Sequence, residues 1–570
     1  MKEKLINKIK ENKQYIIIFV VSILVMQPLL FNNNYIAGHD TNIHLTNIYV
    51  RYLDILQGGL GIQKVLPTIA HNFGYGMGIF YPTLSHIVSA YMTLICVGNI
   101  FLAMKFVHFI VYFISAIMMY KLVFRVFKNK FVATIAAIFY ITFPYSITDV
   151  FIRDALAESF VFMFIPMIIL GLYELFEGDK SKFYKWFIIG YVGILNSHLV
   201  MSVYFTAFVM IYILLNIKKV FKKENIKALL IACLLILLLT APFTVPLIQH
   251  KLLGAYTVFE GETMASYGTI IVSTLKLPEF IIQKPSTEFA DICYYLNLLA
   301  LFMAILTIVC RKKLFKEEKE KKFFWFLVIL TVVSIFMISE LCPWKSLPKI
   351  MIMIQFTWRI ETILVMALSI LASLILTRIK DIKPKLILTI LIIVFNLYTA
   401  YCVYNPEQIK ELNMEELDMS YWGMGWEKEY LPEITNKNLD YFDNRGNEII
   451  VKEGNANIEI INDRTPDLEA KIENCDNAKI EFPRIYYLGY KAILKNDSGN
   501  EKELQLYMND KGFIETTIDS NGTIILKYEG TTADKLANVA CFITIGGLII
   551  YWIIRKRKKI LYIEDKKEEL

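Results

Sequence analysis

The sequence predicts a polytopic α-helical membrane protein with about twelve spans, one juxtamembrane helix and a small β-rich domain near the C-terminus. The chain of 570 residues is 56% hydrophobic, and its mean hydropathy is +0.46. Soluble globular proteins have about 45–50% apolar residues. Here the excess lies in uninterrupted runs, and a run of about 20 apolar residues crosses a bilayer because a helix pairs its own backbone polar groups. The clearest runs are residues 15–31, 228–240, 323–338 and 386–397.

Clusters of lysine and arginine between the apolar runs predict the orientation. They lie at residues 2–13, 121–130, 180–185, 218–227, 311–322, 378–385 and 555–559. Cytoplasmic loops of membrane proteins carry an excess of these residues, so both termini are expected in the cytoplasm. The segments then expected on the outer face are 32–98, 144–156, 196–198, 248–291, 341–358 and 404–536.

The apolar segment 82–97 conflicts with a simple count of hydrophobic peaks. Counting it as a span would place the basic residues of 121–130 outside and reverse every later segment. We therefore expect this segment to lie at the outer interface or to re-enter the bilayer, within a long first outer loop at 32–98. The basic start of the chain is followed by a long run without a small-residue cleavage site, which predicts an uncleaved first span.

Residues 404–536 differ in kind from the rest of the chain. They are charged throughout, and their short apolar or alternating runs are separated by turn residues at 444–446, 496–499 and 520–522. This pattern is typical of a small antiparallel β domain. The expected organisation is a transmembrane domain at 1–403, an extracellular β-rich domain at 404–536, and a final transmembrane helix with a basic cytoplasmic tail at 537–570.

The net charge and the cysteines exclude two other classes of protein. The net charge of +7 arises from short clusters between apolar runs, which is topological information, so no nucleic-acid partner is expected. The eight cysteines lie mostly in or beside apolar runs, and their spacing matches neither a zinc site nor a disulfide framework.

The first candidate site follows the first span, at His39, Asp40 and His44. Asp40 and His44 are four residues apart, so they share a face if a helix begins near Asp40, and aspartate is a good N-cap. A carboxylate with neighbouring imidazoles suits general-base catalysis or metal binding. The alternative is that Asp40 only caps the helix and the histidines are solvated.

Two further candidates lie in short outer loops. Arg153, Asp154 and Glu158 precede the fourth span, and charged residues beside a span are costly enough to mark function. The alternative is a structural ion-pair network, with Arg153 paired to Asp154 or to lipid headgroups. His198 lies where two spans reverse at the outer face, and it either binds a ligand or satisfies the turn.

The fourth candidate enters the tenth span from outside and contains Gln355, Trp358 and Arg359. Arg359 has the geometry to bind a phosphate with two hydrogen bonds while Trp358 stacks on a sugar. An arginine beside a tryptophan at the interface also snorkels to the headgroups, which is the alternative. The segment lacks the excess of basic residues expected of a plain headgroup anchor.

Taken in order, these elements resemble the GT-C superfamily of membrane glycosyltransferases. Within it the chain is most similar to the YfhO-like bacterial membrane proteins, some of which carry a 6-pyruvoyl-tetrahydropterin synthase-related label. One departure is Thr357, where relatives often have proline. The elements that carry the resemblance are Gly38, His39, Asp40 and His44, residues 73–82, 153–158, Ser197 with His198, 355–359, 429–432, 483–491, 512–513 and Tyr528.

The resemblance implies transfer of a sugar from a polyprenyl-phosphate carrier, a membrane lipid, to a cell-envelope acceptor. It implies the outer face of a bacterial plasma membrane, and the lysine- and isoleucine-rich composition is typical of an AT-rich bacterial genome. Asp40 would take the acceptor proton, while Arg153, Arg359, Trp358 and Gln355 would bind the donor phosphate and sugar. The supporting residues would be His39, His44, Glu158 and His198.

The same resemblance leaves the metal open and gives the C-terminal domain a role. Some members of the superfamily need a divalent metal and others do not, and no residue cluster in this sequence decides between them. The 404–536 domain would help to handle the acceptor. The pterin label has no chemical counterpart here, because that soluble activity needs a three-histidine zinc site in a small soluble fold.

Two functions of other classes stay open at this point. A non-enzymatic transporter or flippase of a lipid-linked saccharide would use the same arginines and aromatic residues without a base at Asp40. Transporters usually carry their sites at the midplane of the membrane, whereas the candidates here crowd its outer boundary. A cell-envelope scaffold would bind polymer through 404–536, and Asp40 and Arg359 would then be dispensable.

Overall fold

The structure, a computed structural model, describes residues 12–32, 35–260, 266–276, 297–315, 317–403, 409–410, 423–425, 428–496 and 498–568. In chain order, the helices of the first half are α1 Lys13–Leu30, α2 Thr41–Leu56, α3 Met77–Phe80, α4 Leu84–Ile95, α5 Ile100–Phe127, α6 Lys130–Thr142, α7 Pro144–Phe151, α8 Leu156–Ser159, α9 Val161–Glu177, α10 Lys180–Ser197, α11 Leu199–Leu215, α12 Ile217–Val220 and α13 Lys223–Leu253.

The helices of the second half are α14 Thr257–Glu260, α15 Tyr267–Val272, α16 Leu298–Val309, α17 Glu318–Ile338, α18 Glu361–Ile375, α19 Ile382–Val403, α20 Glu433–Asn436, α21 Leu439–Asn444 and α22 Thr532–Glu568. The strands are β1 Tyr35–Ile36, β2 Ile409–Lys410, β3 Ile450–Arg464, β4 Asp467–Ile485, β5 Tyr490–Asn496, β6 Glu501–Leu504, β7 Tyr507–Met508, β8 Phe513–Ile518 and β9 Gly522–Tyr528.

Long apolar helices dominate the chain. Among the described residues, seven helices are long and apolar enough to cross a membrane, or eight if the bent pair α6 and α7 forms one span. They confirm the expected helical membrane protein, while the count of twelve spans and the orientation stay predictions. The seven candidates are Asn12–Leu30, Ile100–Phe127, Leu156–Glu177, Lys223–Leu253, Glu318–Ile338, Thr357–Arg378 and Thr532–Arg557.

The chain divides into two compact units, and the candidate site belongs to the first. Unit 1 comprises Met1–Gln63, Tyr81–Ala228 and Glu262–Glu427. Its densest packing joins α9 to α10 and α5 to α6, and the short strands β1 and β2 pair within it. The proposed boundaries after residues 403 and 536 stay predictions.

Side-chain caps and prolines set the helix limits in unit 1. The Asn99 side chain accepts a hydrogen bond from the Leu102 amide at the start of α5, and Asn129 caps α6 in the same way. The chain bends by 42° between α6 and α7, where Pro144 has no amide hydrogen to continue the helix. This break brings α7 and the loop after it into the site.

The segment expected to be juxtamembrane forms the twelve-residue helix α4, Leu84–Ile95. At 1.5 Å per residue it is about 18 Å long, short of the roughly 30 Å hydrocarbon core. One face of α4 is buried, including Ser85, His86 and Ser89, while Ile95 at its end is exposed. Its length agrees with a helix that does not cross the membrane alone.

Unit 2 comprises Lys64–Phe80, Leu229–Gly261 and Lys428–Leu570. Among its described residues, β3 to β9 form a seven-stranded sheet in the order β6-β5-β9-β4-β8-β7, with β3 paired to β4. All of these pairings are antiparallel. Two of the three predicted turns lie between strands, β5 and β6 or β8 and β9, whereas the turn predicted at 444–446 lies between α21 and β3. The β-rich region near the C-terminus is therefore confirmed, while its extracellular location stays a prediction.

Residues 73–80, a stretch of the first outer loop that is rich in glycine and aromatic residues, belong to unit 2. The Ile485 amide donates to the carbonyl of Phe73 at 3.1 Å, and Leu66 and Tyr75 exchange backbone hydrogen bonds of 2.8 and 3.0 Å. Gly76 lies so close to Tyr487 that a Cβ atom would be 2.6 Å from Cε1 of the ring. A side chain at this position would force Tyr487 aside.

Candidate active site

Asp40 lies at the N-cap position of α2, on a loop whose backbone is held by another segment. The amides of His39 and Asp40 donate to the carbonyls of Ile152 and Arg153 at 3.2 and 2.9 Å. A Cβ atom on Gly38 would lie 2.6 Å from the carbonyl carbon of Arg153, so this close approach requires glycine. The Asp40 side chain makes no capping hydrogen bond, and 41% of it is exposed.

Arg153 is a buried cation surrounded by carboxylates. Its Nη1 lies 2.7 Å from Asp149 Oδ1 and 2.9 Å from Glu158 Oε2, whereas Nη2 faces Asp40 Oδ2 at 3.9 Å. Burial acts against the charge of Arg153, but Glu158, Tyr145 and Asp149 outweigh it and hold the pKa of the guanidinium well above its ordinary value. The 3.9 Å gap is too long for a hydrogen bond, so the half-exposed carboxylate and Nη2 face each other without bonding directly.

Arg359 approaches the same carboxylate from another part of unit 1. Its Nε lies 3.5 Å from Glu158 Oε2, and its Nη1 donates to the Ile354 carbonyl at 3.0 Å and to Gln355 Oε1 at 2.5 Å. Arg359 is 9% exposed, so its guanidinium points inward to Glu158 and not to the surface that snorkelling would require. Glu158 thus lies between two arginines, and the structure brings together Arg153, Glu158, Gln355 and Arg359.

The aromatic ring of Trp358 stacks on its neighbour Phe356. The ring centroids are 4.0 Å apart and the planes are inclined by 7°. Beside them, Thr357 donates from its amide to Ser273 Oγ at 3.0 Å and from its hydroxyl to the Ser273 carbonyl. A proline at this position has no amide hydrogen to donate, so the departure from the family pattern adds a hydrogen bond.

Asp154 turns away from Arg153, so the alternative that these two residues pair with each other was wrong. Asp154 has a positive φ of 50°, and its carboxylate accepts hydrogen bonds from Tyr35, Thr41 and His108. The distances are 3.0 Å from Tyr35 Oη to Oδ1, 2.6 Å from Thr41 Oγ1 to Oδ2 and 2.9 Å between His108 Nε2 and Oδ1. Asp154 therefore fastens the loop before α2 to α5 and holds Asp40 in place.

The histidines of the site differ in their environment. His44 Nδ1 lies 2.9 Å from His86 Nε2, and both rings are buried. His198 caps α11, with its Nδ1 accepting from the Met201 amide at 3.3 Å. Burial and the nearby Arg359 charge lower the pKa of His198 to about 3, so it is neutral at physiological pH. His39 joins the site through its backbone amide.

The described part of the chain contains no cluster of side chains that would support metal binding. Among those residues, no group of three or more histidine, cysteine, aspartate or glutamate side chains has the arrangement to hold a metal ion. Asp40 and His44 lie close in space, but their neighbours are the cation Arg153 and the paired imidazole of His86.

An apolar groove of about 280 Å³ lies among three helices of unit 1. It is lined by α4, α5 and the start of α9, including Leu84, Val88, Val107, Ile110 and Met163. Helix α4 carries His86 between two of these lining residues, and Phe160, also in the lining, is two residues after Glu158. Helix α4 therefore contributes to both the groove and the polar site.

Three residues of the site were not singled out as functional from the sequence: Asp149, Tyr145 and His86. Tyr145 Oη donates to Glu158 Oε1 at 2.6 Å, and Asp149 holds Arg153. An acidic residue inside an apolar run is costly, so the position of Asp149 in the sequence is itself a signal of function. His86 carried none, because its partner His44 is 42 residues away and on another helix.

Comparison with known proteins gives limited similarity. No family model matches the chain. An uncharacterized protein from Lactococcus lactis subsp. cremoris (strain MG1363) is 23% identical over 343 residues, which cover 58% of this chain and 54% of the relative. The chain therefore spans about half the length of the curated relative that it matches.

Three solved structures are similar to part of this chain. ArnT from Cupriavidus metallidurans bound to undecaprenyl phosphate is 9% identical, covers 67% of this chain and 63% of its own, and has a TM-score of 0.40. The archaeal oligosaccharyltransferase AglB from Archaeoglobus fulgidus, in complex with an inhibitory peptide and a dolichol-phosphate, is 13% identical, with 76% and 60% covered and a TM-score of 0.38.

An Archaeoglobus fulgidus oligosaccharyltransferase in complex with Zn and sulfate is 12% identical, with 70% and 54% covered and a TM-score of 0.37. Likenesses at these TM-scores assign neither a family nor an activity to this chain. The resemblance to YfhO-like proteins stays a prediction. What the fold itself defines is a helical membrane protein with a β-rich C-terminal region.

Proposed function

We propose that this chain is a membrane glycosyltransferase that moves a sugar from a polyprenyl-phosphate carrier to a cell-envelope acceptor on the outer face of the plasma membrane. The observation that carries the proposal is the pair formed by Asp40 and Arg153. A half-exposed carboxylate faces a buried guanidinium nitrogen at 3.9 Å without a direct hydrogen bond. A base for the acceptor and a cation for the departing phosphate are thus held side by side.

Asp40 is the proposed base. Its carboxylate makes no capping hydrogen bond. Its amide donates to the Arg153 carbonyl, and the hydrogen bond from Thr41 to Asp154 holds the adjacent residue in place. A general base has to lie within hydrogen-bond reach of the proton that it removes, so it needs both an open carboxylate and a fixed position. Asp40 has both.

Arg153 and Arg359 are the proposed ligands of the donor phosphate. Each guanidinium bonds its protein acceptors through Nη1, and among the described residues no hydrogen bond uses Nη2 of either arginine. A fixed cation beside the departing phosphate stabilises the charge that develops in the transition state. Glu158, Asp149 and Gln355 hold the two guanidinium groups in position, and Trp358 with Phe356 supplies an aromatic surface for the sugar.

The apolar groove is the proposed place for the first part of the polyprenyl chain. An isoprenoid is purely apolar, so an apolar groove accommodates it without burying a polar group that lacks a hydrogen bond. The groove lining is apolar throughout; α4, which contributes to it, also carries His86, and Phe160 of the lining is two residues after Glu158. A lipid phosphate has this combination of an apolar chain and an anionic head.

An Asp40→Asn exchange tests the proposal in cells that lack the native gene copy. Wild type, Asp40→Asn and a control, Asp510→Asn, are expressed at matched levels, and the surface glycans are compared by mass spectrometry. Asp510 is an exposed carboxylate of unit 2, with 84% of its side chain accessible, so its exchange is expected to be neutral.

The expected result is that a sugar modification lost in the deletion strain returns with wild type and Asp510→Asn but not with Asp40→Asn. Full restoration by an inserted Asp40→Asn protein would overturn the base assignment. It would favour the transporter or scaffold, neither of which needs a carboxylate at this position.

A further inference from the structure

His44 and His86 form a buried pair that the proposed base and phosphate ligands leave without a function. His44 lies in the first turns of α2, and His86 lies on α4. His44 is 3% exposed and His86 is 0% exposed, and His44 Nδ1 is 2.9 Å from His86 Nε2. A hydrogen bond between two neutral imidazoles needs one nitrogen to donate and the other to accept, so each ring fixes the tautomer of the other.

The environment of His86 selects one of the two arrangements. Among the described residues, His86 Nδ1 is buried and has no hydrogen-bond partner. If Nδ1 carried the proton, a buried N–H donor would be left without an acceptor, whereas a proton on Nε2 leaves an unpaired acceptor at Nδ1, and unpaired buried donors are the rarer of the two in native proteins. The favoured tautomer therefore has the proton on His86 Nε2, which donates to His44 Nδ1. His44 then carries its own proton on Nε2.

Burial keeps both rings neutral, although charges of both signs surround the pair. His44 faces Asp40 from its own helix, Arg153 and Asp154 from the loop after α7, His108 from α5 and His198 from the start of α11. His86 faces Arg51 in addition to His44. Burial lowers the pKa of His44 and lowers that of His86 well below its ordinary value, so both are neutral at pH 7.

His44 therefore presents a neutral N–H donor in the part of the site that contains Asp40 and Arg153. Its backbone amide donates to the Asp40 carbonyl at 3.1 Å, which holds the two residues one helical turn apart. Among the described residues, no protein group makes a hydrogen bond to His44 Nε2. A neutral donor adds a hydrogen bond to an anion without changing the charge balance among Asp40, Asp149, Glu158 and the two arginines.

We propose that His44 binds a phosphate oxygen of the lipid-phosphate donor through its Nε2–H, and that His86 is the positioning residue that sets this tautomer. The proposal rests on the proposed function, because it takes the anion at Arg153 to be a lipid phosphate. In this proposal His44 binds the phosphate directly, whereas His86 acts only by fixing the position of the proton on His44.

The tautomer is measured first, by ¹⁵N NMR of the full-length protein labelled at histidine and reconstituted in nanodiscs. The chain has seven histidines, and the His44 signals are those missing from the His44→Gln spectrum. The expected result is a protonated Nε2 and an unprotonated Nδ1 on His44 at pH 7. The reverse tautomer would overturn the proposal, and this readout does not depend on any enzyme activity.

Binding is measured next, with a polyisoprenyl phosphate titrated into nanodiscs that contain the wild type or a variant. His44→Gln keeps an amide donor near the position of Nε2, whereas His44→Asn places its amide near Nδ1. Loss of a hydrogen bond to a charged group weakens binding about tenfold or more. We expect this loss for His44→Asn. His44→Gln is expected to bind the polyisoprenyl phosphate substantially more tightly than His44→Asn does.

His86 is tested by the same titration with two exchanges. His86→Gln keeps a donor toward His44 Nδ1 and is expected to retain binding, whereas His86→Phe removes the donor and is expected to weaken it. Equal dissociation constants for wild type, His44→Asn and a folded His86→Phe would overturn the proposal. If the wild type binds the lipid phosphate with the expected His44 dependence but transfers no sugar, the proposed function fails and the binding role stands.

Discussion

The Glu158 carboxylate lies 3.5 Å from Nε of Arg359, and the same oxygen lies 2.9 Å from Nη1 of Arg153. Glu158 is 1% exposed, so the contact between the two cationic segments is shielded from water. Arg153 comes from the loop between α7 and α8, whereas Arg359 precedes α18. One buried carboxylate therefore joins two parts of unit 1 and sets the separation of the two proposed phosphate ligands.

Glu158→Gln is expected to destabilise the protein strongly. Removing one partner of a buried ion pair leaves uncompensated charge and costs about 3–5 kcal/mol. The melting temperature of the detergent-solubilised protein should fall, and Glu158→Asp should fall less because a carboxylate remains. Glu318→Gln is the control, since Glu318 forms an exposed pair with Lys321, and exposed pairs contribute about 0–1 kcal/mol. Equal melting temperatures for Glu158→Gln and Glu318→Gln would contradict the bridging role.

Asp154→Asn is expected to loosen the loop that carries Asp40. The amide cannot accept every hydrogen bond that the carboxylate takes from Tyr35, Thr41 and His108, and each bond to a charged group contributes about 1.5–3 kcal/mol. Asparagine tolerates a positive φ, so the backbone conformation is not the cause of the effect.

Hydrogen exchange followed by mass spectrometry checks the loosening at residues 35–41. Faster exchange there is expected in Asp154→Asn, while Asp179→Asn, which exchanges one good N-cap for another at α10, should leave it unchanged. Unchanged exchange at 35–41 in Asp154→Asn would show that the hydrogen bonds to the Asp154 carboxylate do not hold the loop.

Acid is expected to destabilise unit 2 through Glu481. Burial of Glu481 acts to raise its pKa, but hydrogen bonds from Tyr441, Arg445 and Lys452 outweigh it and lower the pKa below the ordinary 4.5. A carboxyl group with a lowered pKa stabilises the fold fully above the ordinary value, and this contribution is lost as the pH falls below 4.5 toward the folded value.

The melting temperature of the full chain, measured between pH 7 and pH 3, checks the role of Glu481. The difference between wild type and Glu481→Gln is expected to be large at pH 7 and to shrink below pH 4.5. Glu473→Gln is the control, since Glu473 forms an exposed pair with Lys471. A difference that stays constant with pH would rule out the charge of Glu481 as its source.

The apolar helices and the β-rich region are largely local features, and the sequence alone predicted them. A run of apolar residues is a property of neighbours along the chain, and α1, α17 and α19 closely follow the predicted runs. The turns at 496–499 and 520–522 likewise depend on residues within the turn, and each separates two strands of the sheet. The sequence also marked Asp40, Arg153, Glu158 and Arg359 as charged residues beside apolar runs.

The partners of these charged residues were decided by the tertiary structure. Arg153 bonds Asp149 and Glu158, not its neighbour Asp154, because the positive φ of Asp154 turns that carboxylate toward Tyr35, 119 residues earlier. His44 meets His86 because α2 packs against α4. Patterns of hydropathy and charge involve residues within one or two helical turns of each other along the chain. They therefore predict that a residue lies at the end of a helix. Which side chain it then meets depends on how distant helices pack, and only the folded chain contains that information.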